Sequence, residues 1–178
     1  MNSNLKRQIV HSLLLAVGLV IRQITPGFLG GIKPDFMLAI LFVIIIFNND
    51  YQTTLITGIV AGILAAMTTT FPAGQIPNII DKIITTHVIY LTLLPFRKFR
   101  GSKVKSIIIG FLGTAFSGSV FLYTALLITG LPAPFEVLFI SVVIPTAAIN
   151  AAVTPALLVL LKRALKATNL QMYSTVNN

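Results

Sequence analysis

Six apolar runs, joined by short polar connections, leave this chain few ways to fold. They cover residues 9–24, 34–47, 53–67, 79–96, 107–131 and 136–161. Inside a bilayer every backbone N–H and C=O must find its partner within the protein, so runs of this kind cross as helices. Charge is scarce enough to allow it. Only 10% of the residues are charged, against about a quarter in an ordinary soluble domain. The expectation is an all-α membrane protein, a single domain over 1–178 built as a six-transmembrane-helix bundle. No cleaved signal peptide is expected, because no small-residue cleavage site follows the first run. The second run is short. At ~1.5 Å per residue it covers roughly 20 Å of a ~30 Å hydrocarbon core. It must be extended by its flanks, sit where the bilayer thins, or pack inside the bundle.

The basic residues orient the bundle. With six spans, both termini and the second and fourth connections share one side. That side carries Lys6, Arg7, Arg97, Lys98, Arg100, Lys103, Lys105, Lys162, Arg163 and Lys166, ten of the 13 basic residues. The positive-inside rule therefore predicts a multi-pass protein of the cell membrane with N- and C-termini in the cytoplasm. The same sorting makes the basic 97–105 loop a topology signal and argues against nucleic acid, despite a net charge of +9. The chain has no cysteine, which excludes disulfides and thiolate metal sites. Its two histidines and four acids are too scattered for a metal cluster, so neither metal nor cofactor is expected.

Residues 68–82, TTTFPAGQIPNIIDK, break the apolar pattern between the third and fourth runs. Polar groups beside a membrane span are costly to place without a function. The stretch reads as a re-entrant or capping loop on the outer face, forming one wall of a small-molecule site. On a helix starting near Asn78, residues 78, 81, 82 and 85 share a face, so Asn78, Asp81, Lys82 and Thr85 project together. The competing reading is local: Asn78 as N-cap, with Asp81 completing a box-like cap. Asp35 and Glu136 also stand at helix starts, where the dipole favours acids. Arg22, Gln23, Lys33 and Gln75 fall on the same outer side, and Arg22 and Lys33 can simply snorkel. Phe28, Phe71, Tyr123 and Phe135 lie there too, as an interfacial belt or as pocket lining.

Substrate-binding candidates are thus Lys33, Asp35, Phe71, Gln75, Asn78, Asp81, Tyr123 and Glu136. Acids, bases, amides and rings on one side suit a zwitterionic amino acid with an apolar side chain. Its carboxylate would seek a base, its ammonium an acid, and an indole would seek stacking faces. Asn150, in the sixth run, either floors this pocket or bonds to a neighbouring helix. Small residues recur at helical spacing in several runs, as close helix packing requires. On the first span, Ser12 and Ala16 are candidates for docking a partner membrane subunit.

Two segments, GGIKPDFMLA after the first span and TTTFPAGQIPNIIDK after the third, resemble the tryptophan transporter family of Gram-positive bacteria called TrpP. The likeness extends over almost the whole chain, in length and span number. The family pattern has a glycine where this chain has Ala73. The resemblance implies the substrate-binding S subunit of an energy-coupling factor importer. Such a subunit pairs with a transmembrane coupling subunit and two cytoplasmic ATPase subunits, and holds its ligand near the outer surface. Its ligand would be tryptophan. No G-x-x-x-x-G-K-[ST] motif is present, so any ATP would be hydrolysed by the partners. The alternative is a stand-alone proton-coupled secondary transporter for aromatic amino acids, with Asp81 or His87 carrying the proton. An enzyme is not expected, since no nucleophile–base pair or metal set stands out.

Overall fold

The computed structural model describes residues 3–27, 33, 35–97 and 102–167. Phe28, and Lys98 and Arg100 of the basic loop, lie outside the described residues. Those described form helices, with no strand among them. Helix α1 is Ser3–Ile24, α2 Phe36–Phe47, α3 Tyr51–Met67 and α4 Gln75–Leu93. Helix α5 runs Lys103–Ile128 and contains a π-helical turn, Ile109–Gly113. Helix α6 joins Phe135–Leu138, a second π-helical turn Phe139–Val143, and Ile144–Ala167. Among the described residues, α1, α5 and α6 are long and apolar enough to cross a membrane.

Helix α2 is the axis of the bundle. Every residue from Met37 to Phe47 is buried, none more than 4% exposed. A helix apolar on all sides has no solvent face to offer, and this one is enclosed by α1, α3, α4, α5 and α6. The short second run therefore packs inside the bundle. Both its ends are tied. Asp35 caps the start, accepting from Leu38 N at 3.3 Å. The turn after it is fixed by Asp50, which accepts from Thr53 N at 2.8 Å, and by Tyr90 and Arg97, which donate to the Asn49 carbonyl at 2.7 and 3.1 Å.

Small residues do the packing where helices come closest. Gly58, Ala61, Gly62 and Ala65 form the buried face of α3 that meets α4. A Cβ added at Gly58 would stand 2.3 Å from Thr86 Oγ1, closer than any real contact, so even alanine there would push the helices apart. This stripe serves the bundle itself. Helix α1 is different. His11, Leu15, Gly18 and Arg22 face inward and are buried, while Ser12, Leu13, Ala16, Val17 and Val20 are exposed. It is a peripheral helix with an apolar outer face.

The polar interruption is folded differently from the expected loop. Only residues 68–74 are non-helical, and α4 begins at Gln75 with Gly74 as its N-cap. Pro77 fits because a proline in the first helical turn costs no intrahelical hydrogen bond. Asn78 thus lies inside the helix and is not its cap. The turn leading in closes with Gly74 N donating to Phe71 O at 3.0 Å. Within it Ala73 takes φ +50°, the left-handed region where glycine is unstrained.

Candidate functional site

Asn78, Asp81, Lys82 and Thr85 do share a face of α4, and that face is buried, each residue at 2% exposure or less. It is turned toward Arg22 of α1 and Asp35 at the start of α2. Asp35 receives two cations: Arg22 Nη1 at 3.1 Å and Lys82 Nζ at 2.7 Å. Lys82 also pairs with Asp81. The other Asp81 oxygen accepts from Thr85 at 2.9 Å and from Ser117 of α5 at 2.6 Å. Arg22 spreads its remaining donors, Nε to Thr68 Oγ1 and Nη2 to Asn78 Oδ1, both at 3.1 Å. Asn78 in turn donates to the Gly74 carbonyl at 2.6 Å. Two bases and two acids from three elements form one closed network.

The network closes electrically as well as geometrically. Arg22 and Lys82 contribute two positive charges, Asp35 and Asp81 two negative. A buried ion pair gains little net stability over an apolar replacement, while loss of one partner is strongly destabilising. Four buried charges are thus an expensive way to hold helices together and a suitable way to hold a charged ligand. Asn150 supports the set from behind. Its Nδ2 donates to the Asp35 carbonyl at 3.1 Å and to Thr114 Oγ1 at 3.0 Å, joining α6 to α2 and α5. Of its two expected roles, the structure gives it the helix-to-helix bond.

Beside the network opens a cleft of about 570 Å³, counted to its open mouth. Arg22, Lys33, Asp35, Asn78, Asp81 and Lys82 supply its polar wall. The rest of the lining is largely apolar: Phe71, Leu122, Val142 and Val143 belong to one buried cluster with Phe121 packed on it. Phe71 and Phe121 meet edge to face, centroids 5.5 Å apart and planes at 75°.

Of the residues picked from the sequence, Lys33, Asp35, Phe71, Asn78 and Asp81 come together as cleft lining. Gln75 sits on the exposed side of the first turn of α4, Tyr123 is 60% exposed, and Glu136 is exposed in the first turn of α6. None of these three lines the cleft. Ser12 and Ala16 are exposed on α1. The binding candidates did not include Arg22 and Lys82, which the sequence places on the outer side, or Ser117 and Phe121. Arg22 had the form of a snorkelling arginine at a helix end, and Ser117 that of a packing residue. The readable signal was Lys82, one residue after Asp81 on a predicted common face.

A family model described as tryptophan transporter TrpP matches residues 4–166. The chain belongs to this family. A probable tryptophan transport protein of Clostridium acetobutylicum is 53% identical over 166 residues, covering 93% of this chain and 97% of that protein. One of Clostridium perfringens is 38% identical over 178 residues, covering 94% and 97%. One of Bacillus subtilis is 46% identical over 145 residues, covering 82% and 84%. No solved structure matches. Membership of the TrpP family makes this a membrane transporter and not an enzyme. The cleft and its charge network are therefore features of a transporter.

Proposed function

We propose that this protein takes up tryptophan across the cytoplasmic membrane and binds it in the cleft. The observation that carries this reading is the balanced quartet Arg22, Lys82, Asp35 and Asp81 beside the Phe71–Phe121 pair. A zwitterion adds one charge of each sign and leaves the balance intact. An anion or a cation would leave one buried charge in excess. The ligand carboxylate goes to Arg22 or Lys82 and the ammonium to Asp81 or Asp35, while Lys33, half-buried in the cleft lining, lies outside the paired quartet. The indole lies against the aromatic and aliphatic side. The tryptophan transport named for the relatives supports that choice of ring.

The chain works as six spans with both termini in the cytoplasm. The charge network joins the outward end of α1, the start of α2, the end of α3 and the start of α4, so the cleft opens outward. Energy comes from partners: the protein is the S subunit of an energy-coupling factor importer. It docks a transmembrane coupling subunit, served by ATPase subunits, through the exposed α1 face around Ser12 and Ala16. The absence of a nucleotide motif from this sequence and the one-sided burial of α1 support this assignment.

The test is tryptophan uptake into vesicles holding the protein with or without its partners. Uptake that needs the coupling and ATPase subunits and internal ATP is the expected result. Uptake by the protein alone, abolished by a protonophore, would establish the proton-coupled alternative.

A further inference from the structure

The apolar side of the cleft carries one hydroxyl from α6. Thr146 stands one helical turn after Val142, lines the cleft, and is 6% exposed. Its Oγ1 donates to the Val142 carbonyl at 2.7 Å. A threonine hydroxyl has one proton and two lone pairs. With the proton committed to the backbone, the oxygen can act toward a ligand only as an acceptor. The hydroxyls of α5 that line the cleft belong to the polar network: Ser117 donates to Asp81, and Thr114 accepts from Asn150.

We infer that Thr146 accepts the ring N–H of the bound ligand and so selects indole over rings of the same shape without a donor. The inference rests on the proposed tryptophan reading and deepens it. With the amino-acid moiety at Arg22, Lys82, Asp35 and Asp81, the side chain points to the wall formed by Phe121, Leu122, Val142 and Val143. An indole N–H is a donor only, and burying it unpaired is costly. On that wall Thr146 matches it in kind, an acceptor for a donor. Phenylalanine has no ring donor to offer that oxygen, so it gains no bond there that tryptophan does.

The experiment measures two ligands on three proteins by calorimetry: tryptophan and its benzothiophene analogue, in which sulfur replaces the ring N–H, against wild type, Thr146→Val and Thr146→Ser. Wild type should prefer tryptophan by roughly tenfold or more, the usual scale for one buried hydrogen bond. Thr146→Val should lose that preference by weakening tryptophan alone, leaving the analogue within about twofold. Thr146→Ser, which keeps the acceptor, should keep the preference. Melting curves without ligand confirm that each variant folds. Equal weakening of both ligands in Thr146→Val, or no preference in wild type, overturns the role of Thr146 and leaves the tryptophan reading standing. Failure of wild type to bind tryptophan at all overturns both.

Discussion

Asp81→Asn separates the cleft's charge chemistry from its architecture. Asparagine has the shape of aspartate and can still accept from Ser117 and Thr85. What disappears is one negative charge and the oxygen that accepts from Lys82, leaving Arg22, Lys82 and Asp35 with a net charge of +1. Breaking a buried ion pair typically costs about 3–5 kcal/mol. Lys82 keeps Asp35 at 2.7 Å, so the loss without ligand should fall near the low end, about 3 kcal/mol. That corresponds to a melting temperature lower by about 10 °C for a chain of this size. Tryptophan should suffer separately, because its ammonium loses a desolvated partner. The expected cost is about 2–5 kcal/mol, or roughly 30-fold to several-thousand-fold in affinity. Indolepropionate, the same ring and carboxylate without the ammonium, is the decisive control. In wild type it brings an unbalanced negative charge; in Asp81→Asn it restores neutrality. The variant should therefore weaken tryptophan while holding or strengthening indolepropionate. Calorimetry with both ligands, in one detergent, reads this directly. Equal weakening of both would make Asp81 purely structural. Unchanged tryptophan affinity would remove it from the site.

Two further predictions concern the rest of the molecule. Ala16→Trp, on the exposed face of α1, should block assembly with the coupling subunit and abolish uptake in cells, while tryptophan affinity in detergent stays within about twofold; loss of affinity with assembly intact would place Ala16 in the core instead. Reporters fused after Asn178 and within the 97–105 connection should both read as cytoplasmic, and an external reading from either would refute the six-span topology.

The helical fold of the described residues was legible because the sequence offers the backbone little else, and the 3.6-residue period alone puts Asn78, Asp81, Lys82 and Thr85 on one face. Helix starts were less legible. Residues 68–82 look like a loop because proline, glycine and amides are loop formers, yet Pro77 is compatible with a first helical turn and Gly74 provides the cap. Pairings were hardest. Nothing local distinguishes an arginine that snorkels from one that turns inward, and Arg22 turns inward only because Asp35, Thr68 and Asn78 converge on it from positions up to 56 residues away. The expected topology puts Tyr123 and Glu136 on the outer side, but a side says nothing about which way a residue faces around its helix. Ala73 adds a link between sequence and backbone. The expected family pattern puts glycine there, and a φ of +50° is the left-handed region in which glycine is unstrained.

The central claim is that the cleft binds a zwitterionic indole amino acid. The chain contains no tryptophan, so in the purified protein an added tryptophan is the only indole fluorophore. Titrating it and following its emission, then competing with each of the other amino acids, tests the claim most directly. A saturable blue shift is expected as the indole enters the apolar side of the cleft, with no displacement by lysine or glutamate at equal concentration. No saturable shift, or displacement by charged amino acids as readily as by unlabelled tryptophan analogues, would contradict it.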